Sequence, residues 1–402
     1  MGLCACAFLL SPAQLPNPEG DKLVPQTSFS TCPALQIISR EPVLAGTGLS
    51  VSTDGRFLAT FIHTISGAVI ELRERATGEK RRVELTPPAL PAGVQWRIFE
   101  ASFSPSGEWL AVRGVGMIWV LDVAAAKILY SIGADPAVQT YPGKISWGGN
   151  HLAVSFWPPE SYLADALARK LVEFRLYDAA SGKIEQKLAL PIPSSDAWAE
   201  LRLSPDGSRL AVLLRARRWP GKSDLFVIAA DSGNQVWEEQ IGAEDLKWSS
   251  DGKQLLVLNN DLVWLDATNG RQVRRLATGI HHSEYQKLRV SEGAHLAVGE
   301  LALYSAFKRV FRNEKRQTRL FIWQLDSGKT LCAAPLDAAT DAEIWVTDTE
   351  EILTLETMYD VRPPLRLPKS ARIVTYRLAP PLPPAQPEIP AKPSPAPARA
   401  DL

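Results

Sequence analysis

A tight turn ending in Asp-Gly or Ser-Gly, followed at once by a short run of branched apolar residues, recurs along this chain. Nothing else in the sequence constrains the fold as strongly. Residues Leu201 to Gly233 show the unit nearly complete. Leu201 and Leu203 alternate in a first run, and Ser204-Pro205-Asp206-Gly207 makes the turn. Leu210 to Leu214 form a second run, a basic loop follows, and Leu225 to Ile228 form a third. Asp231-Ser232-Gly233 turns again, and Gln235-Val236-Trp237 opens a fourth run. Apolar runs of this length between Asp-Gly and Ser-Gly turns predict strands joined as hairpins, and four of them make one small antiparallel sheet.

The signature can be aligned seven times. Its turns are Thr53-Asp54-Gly55, Pro105-Ser106-Gly107, Gly148-Gly149-Asn150, Asp206-Gly207, Asp251-Gly252, Glu292-Gly293 and Asp348-Thr349. Third runs such as Ile118 to Asp122, Phe174 to Asp178, Val263 to Asp266 and Phe321 to Leu325 follow. Most end in a second glycine turn, as at Thr77-Gly78, Ser181-Gly182, Asn269-Gly270 and Ser327-Gly328. The spacing, roughly 40 to 57 residues, suits propeller blades. The last unit runs into proline after Leu378 and lacks a fourth run, whereas Leu35 to Ser39 has no unit of its own. Pairing the two removes an exposed edge. The expectation is an all-β fold: one seven-bladed β-propeller over residues 33–379, closed by an N-terminal strand.

The flanks have a different composition. Residues 1–32 read as a leader or a disordered segment; Met1 to Ala13 is a short apolar run ending in Ser11-Pro12-Ala13, like the small-residue cleavage site of a signal peptide. Export to the periplasm or outside the cell is therefore expected ahead of a cytoplasmic location. Residues 380–402 form a Pro/Ala-rich disordered tail, which favours polyproline II and builds no core. With 44 basic against 44 acidic residues, the chain has no net charge to draw it to nucleic acid or a membrane. No apolar run is long enough to span a bilayer. The four cysteines show neither metal spacing nor a disulfide framework.

Three features carry a family resemblance: Phe103-Ser104-Pro105-Ser106-Gly107, Leu203-Ser204-Pro205-Asp206-Gly207, and third-strand endings such as Trp264-Leu265-Asp266. In these the chain resembles WD-repeat and related bacterial propeller repeats across nearly all of residues 33–379. It departs from the strict WD pattern. No Gly-His pair precedes the first strands, and the Asp-containing turn between second and third strands is mostly missing. The looser bacterial repeats are the nearer likeness, and unrelated functions share that scaffold.

In a four-stranded blade the first-to-second and third-to-fourth turns share one face of the disc. Here those turns are short and uniform. The other face takes the length variation: 157–171, 215–224, 300–318 and 357–370, with the connections 86–97, 132–144 and 277–287. Helical spacing appears twice, as Leu163, Leu167 and Leu171, and as Leu303, Phe307 and Val310, so short helical insertions are expected there. Cations and aromatics gather on the same loops. Trp157, Arg215, Arg217, Arg218, Trp219, Tyr304, Lys308, Arg309, Arg312 and Tyr359 are the candidate partner-binding face, a composition that suits a protein with an acidic surface.

The first strands should line the central channel. At one equivalent position they carry Ser50, Ser102 and Ser146, then Arg202, Lys247 and Arg289. The three cations are a candidate anion site. His281-His282-Ser283-Glu284 is a single-loop cluster, and propeller metal sites draw on several blades. No nucleophile elbow, zincin motif or phosphate loop occurs. The sequence therefore reads as a non-enzymatic scaffold for protein–protein interaction, with no cofactor and no catalytic or metal residue assigned. The alternatives are a propeller enzyme (hydrolase, lyase or oxidoreductase) at the channel mouth and an anion or polysaccharide binder in the channel.

Overall fold

The computed structural model describes residues 35–378, except 45–46, 65–66, 89–95, 134–140, 158–170, 192–197, 216–222, 244, 260, 277–284, 291–295, 304–316, 325–328, 336–340, 350 and 363–364. The expected leader and proline-rich tail lie outside the described residues.

The chain opens with β1 (Leu35–Val43). Blade 1 is β2 (Gly48–Val51), β3 (Phe57–Thr64), β4 (Gly67–Glu74) and β5 (Lys80–Leu85). Blade 2 is β6 (Ile98–Phe103), β7 (Trp109–Gly114), β8 (Met117–Asp122) and β9 (Lys127–Gly133). Blade 3 is β10 (Tyr141–Gly148), β11 (His151–Trp157), β12 (Leu171–Asp178) and β13 (Ile184–Pro191). Blade 4 is β14 (Trp198–Leu203), β15 (Arg209–Arg215), β16 (Ser223–Ala229) and β17 (Gln235–Ile241). Blade 5 is β18 (Asp245–Trp248), β19 (Gln254–Asn259), β20 (Asp261–Asp266) and β21 (Gln272–Leu276). Blade 6 is β22 (Tyr285–Val290), β23 (Leu296–Leu303), β24 (Gln317–Gln324) and β25 (Lys329–Pro335). The chain ends with β26 (Asp341–Val346), β27 (Glu351–Arg362) and β28 (Leu365–Leu378).

These strands make seven four-stranded antiparallel sheets. Six are blades of consecutive strands; the seventh is a composite in the order β26-β27-β28-β1. In it Leu35 pairs with Leu378 and Val43 with Ala371, so the two ends of the described chain are stitched edge to edge. Without β1 that sheet would present β28 as an open ladder.

The expected seven-bladed ring with helical insertions is corrected by what is seen: six self-contained blades, one composite sheet, and no helix among the described residues. Glu300 to Leu303 belong to β23, which pairs with Gln317 to Leu320, and Leu171 opens β12 opposite Pro191. Residues 296–303, LAVGELAL, sit in a period-two ladder, and that pairing overrides the helical spacing counted from Leu303. Residues 158–170 and 304–316 lie outside the described part. The expected loop 357–370 is also different. Thr357 to Arg362 pair with Leu365 to Ala371, making a two-stranded ribbon. That ribbon runs past the end of β26, whose Asp341 is opposite Thr357.

The core sits in the seams between blades. Phe174 and Leu176 of blade 3 pack against Leu201, Leu210 and Phe226 of blade 4. Ala111 and Val120 of blade 2 pack against Trp147, Leu152 and Phe156 of blade 3. Leu49, Val51 and Leu58 of blade 1 pack against Leu353, Leu355 and Ile373 of the composite sheet, which closes the ring. Each Val, Leu, Ile or Phe side chain among these, fully removed from water, contributes about 2 kcal/mol. Leu201, with no exposed surface, is a position where truncation to Ala would cost about 3 kcal/mol.

Candidate interaction face and central channel

The face of short turns is self-contained. Ser52, Ser104, Ser204 and Ser249 each accept a hydrogen bond at Oγ from the amide five residues on, at 2.8, 3.0, 2.9 and 2.9 Å. The hydroxyls of Ser52, Ser204 and Ser249 donate to Asp54, Asp206 and Asp251 at 2.6, 2.6 and 2.7 Å. Gly55, Gly207 and Gly252 follow with φ of 71°, 77° and 67°, conformations that need glycine. The Ser-x-Asp-Gly signature is thus a turn device whose polar groups are used internally.

The opposite face receives the second-to-third hairpins and the blade connections. Trp157 closes β11, Arg215 closes β15, and Tyr359 stands in the β27–β28 ribbon. Arg217, Arg218, Trp219, Tyr304, Lys308, Arg309 and Arg312 lie outside the described residues, as does the cluster His281 to Glu284.

On this face the structure shows a group that sequence reading missed. A register shift between Ile98 and Glu100 lets Phe99 point outward, 44% exposed. The guanidinium of Arg97 lies 4.7 Å from its ring centroid and that of Arg113 lies 4.9 Å away. Arg113 also pairs with Glu100 at 3.2 Å, whereas exposed Arg97 makes no ion pair among the described residues. Beside them Trp96 packs edge-on against Trp119 and His63, with centroids 5.8 and 5.9 Å apart. Gly114 makes room for this stack, since a Cβ there would lie 2.9 Å from the Trp119 ring. Burial, helped by the Arg97 charge, lowers the pKa of His63, so the ring is neutral at neutral pH. The result is an aromatic platform edged by two cations, with the composition of an interface anchor.

Around the axis the inner strands carry ion pairs that bridge blades. Lys144 of β10 reaches Glu200 of β14 at 3.1 Å. Arg202 binds Glu200 at 3.3 Å and Asp245 of β18 at 3.2 Å. Burial disfavours both charges, but the opposite charges outweigh it. Glu200 is held below the ordinary carboxylate value by Arg202 and Lys144, and Arg202 above its own by Asp245 and Glu200. Lys247 lies in β18 opposite Leu256, and Arg289 in β22 opposite Val298. The candidate serines do other work. Ser50 and Ser146 are buried, and Ser146 Oγ accepts from the amide of Leu203 at 2.9 Å across the seam. The indoles of Trp147 and Trp248 donate to the carbonyls of Ser102 and Arg202, each at 2.8 Å.

A sequence signal for the acids does exist. Glu100-x-Ser102, Glu200-x-Arg202 and Asp245-x-Lys247 place an acid two residues ahead of each noted position, on the same side of the strand. Phe99 left no comparable signal, because a bulge decides its direction.

No family model and no curated protein matches the chain. Solved structures do. The Cps50 (Swd1) β-propeller domain of Myceliophteria thermophila superposes with a TM-score of 0.58 at 12% identity, covering 86% of this chain and 100% of that one. A chain of the mitotic checkpoint complex gives 0.58 at 13%, covering 93% and 99%. A chain from a study of two prolyl endopeptidases gives 0.54 at 12%, covering 83% of this chain but 50% of that one. At these identities the likeness is one of fold: the chain is a β-propeller. No helix among the described residues is long and apolar enough to cross a membrane.

Proposed function

We propose that this β-propeller is a non-enzymatic scaffold that binds another protein through its long-loop face. The Phe99 platform is the observation that carries this reading. An exposed ring flanked by Arg97 and Arg113, on the face where Trp157, Arg215 and Tyr359 also end, supplies the aromatic and arginine anchors that interfaces use. The sequence also carries Arg217, Arg218, Lys308, Arg309 and Arg312, a composition that suits a partner with an acidic surface. Two of the structural neighbours, a β-propeller domain and a member of the mitotic checkpoint complex, agree with a scaffold role at the level of fold.

The channel chemistry supports the non-enzymatic reading. Carboxylates from three blades approach the axis, but Glu100, Glu200 and Asp245 are each paired with Arg or Lys. A carboxylate held below its ordinary value, as Glu200 is, makes a poor general acid near neutral pH.

The test uses the full chain as bait in affinity purification, beside Arg97→Glu/Phe99→Ala on the long-loop face and Lys253→Glu on the other. Lys253 is a suitable control because its side chain is 81% exposed. The expected result is a partner kept by Lys253→Glu and weakened more than about tenfold by the double variant. A partner retained equally by all three would refute the assignment to this face.

A further inference from the structure

At two seams a ring on the outer strand of one blade clamps the third-to-fourth turn of the next. Tyr130 of β9 lies over Gly182, where a Cβ would come within 2.7 Å of the ring, and its hydroxyl donates to the Ala179 carbonyl at 2.9 Å. Trp237 of β17 lies over Gly270 in the same way, at 2.9 Å, and its indole donates to the Ala267 carbonyl at 3.0 Å. Both rings stand just before the register shift of their ladder, Tyr130 opposite Val120 and Trp237 opposite Val227.

The closing seam lacks that clamp. In β1 the equivalent residue is Ile37, opposite Tyr376 just before the shift, and it is 45% exposed. A Cβ on Gly78, the matching turn glycine of blade 1, would meet nothing within 4 Å. Residues Gln36 to Arg40 are all exposed, while Leu35 and Val43 rest half-buried against the neighbouring apolar clusters. What holds β1 is chiefly its ladder to β28, together with Glu41, both of whose oxygens are bonded by Arg73 of blade 1. Such a strand brings little apolar surface of its own to the fold. A second copy of the same strand supplies every one of these contacts.

The connection from β1 to β2 carries an independent observation. Leu44 is 66% exposed, the most exposed large apolar side chain among the described residues. The amide of Thr47 donates to the Leu44 carbonyl at 3.1 Å, closing residues 44–47 into a turn. If β1 leaves its own ring for another, this turn opens. A connection so short makes the two rings meet at their closing seams, with the two opened turns crossing at the two-fold axis. There each Leu44 faces its counterpart and loses contact with water.

We propose that two copies of this chain exchange β1, each N-terminal strand completing the composite sheet of the other in a two-fold dimer. The surface involved is the closing seam, so the proposal does not depend on the scaffold reading. Ladder and ion pair are the same in the closed and exchanged forms. The equilibrium is therefore set by the opened turn and the new Leu44 contact against the entropy of association. The rate is set by how easily β1 comes free, which is where the missing clamp acts.

The experiment holds the full chain at high concentration a few degrees below its unfolding midpoint, then measures mass by size exclusion with light scattering. A dimer whose share rises with the concentration during incubation is expected. A second arm identifies the contact. Gln36 and Arg377 are opposite and both exposed. A Gln36→Cys chain is mixed with an Arg377→Cys chain, each with the native cysteines changed to serine, incubated as before and treated with bismaleimidoethane. Exchange joins one chain of each kind. Leu44→Ser should lower the dimer share about tenfold, because both copies lose the apolar contact at the axis. Ile37→Tyr, which offers Gly78 the ring that Tyr130 offers Gly182, should slow dimer formation about fivefold and leave the final share unchanged. A chain that stays monomeric at every concentration would overturn the proposal. So would Leu44→Ser dimerising like the parent, or Gln36→Cys chains joined to one another but not to Arg377→Cys chains, the mark of closed rings meeting edge to edge.

Discussion

Arg75 of blade 1 reaches the carboxylate of Glu351 in the composite sheet at 2.8 Å, and Arg377 holds the other oxygen of the same group. The contact lies where the first blade meets the last. Close by, the amide of Asp348 donates to the carbonyl of Thr53 at 2.9 Å, so backbone and ion pair fasten one seam together. Glu351 is 6% exposed. Burial alone would push its carboxyl up; the two guanidinium groups outweigh that and hold it below the ordinary 4.5.

A pH dependence follows from that direction. The folded value lies below the unfolded one, so folding favours the ionised carboxylate. The contribution is complete above the ordinary value of 4.5 and fades as pH falls through the lowered folded value. Glu351→Gln should cost about 2 kcal/mol at pH 7, the lower side of a broken buried pair, because Arg377 is 55% exposed. The gap between variant and parent should shrink toward pH 3. Urea unfolding at both pH values checks this; a gap independent of pH would show that Glu351 acts by packing alone.

Removing the closing strand is the more drastic test of the same seam. Deleting residues 1–43 takes away every backbone partner that β28 has in β1, from Leu378 to Ala371, and uncovers Val374 and Ile373. A lower unfolding midpoint and concentration-dependent aggregation are expected, from thermal scans and light scattering. A truncation that spares Leu35 onward should leave both close to the parent. Equal stability of the two truncations would show that ring closure does not depend on β1.

The sheets were legible because their signals are local and repeated. The orphan run at Leu35 and the proline after Leu378 were enough to pair strands more than 300 residues apart, now seen in register. The extra elements were harder to read. Leu303 follows helical spacing with Phe307 and Val310, but residues 300–303 lie in a ladder with 317–320, and only the partner strand could decide between the two. The ribbon at Thr357 to Ala371 carries paired prolines and charges that read as a loop, yet its ladder continues to Arg362 opposite Leu365. Arg202 was visible as a cation and Glu200, two residues before it, as an acid on the same side of the strand, but that Asp245 one blade away reaches the same guanidinium depends on the packing of the two blades.

Glycines in the turns offer a graded test of packing against backbone strain. A Cβ on Gly148 would lie 2.1 Å from the carbonyl oxygen of Ser204, a backbone atom of the neighbouring turn that cannot move aside cheaply. Gly148→Ala should therefore cost about 3 kcal/mol. At Gly78 the space is empty and only the φ of 73° resists a side chain, so Gly78→Ala should cost about 1 kcal/mol. Denaturant midpoints at constant slope would rank them; the reverse order would mean that blades 3 and 4 can slide apart at this turn.

The axial ion pairs lead to the last prediction. Arg202 stands between Glu200 and Asp245 at 3.3 and 3.2 Å, so its charge is already balanced by the protein. A channel built to hold an anion through this residue would have to displace one of those carboxylates. The parent should accordingly gain no more stability from sulfate than from chloride at matched ionic strength, beyond the general salting-out effect by which sulfate strengthens apolar burial in any protein. Glu200→Gln/Asp245→Asn keeps the shape of both side chains and removes the two carboxylates that Arg202 bonds, with Lys144 nearby and also released from Glu200. That variant should be less stable by about 3 kcal/mol, the cost of uncompensated charge in a half-buried site. Sulfate should then restore part of the loss, because it supplies the missing negative charge to two cations at once. Thermal scans of parent and variant in both salts make the comparison. A parent that sulfate stabilises as strongly as the double variant would favour an anion site at Arg202, Lys247 and Arg289, and would count against a channel whose charges serve to join blades 3, 4 and 5.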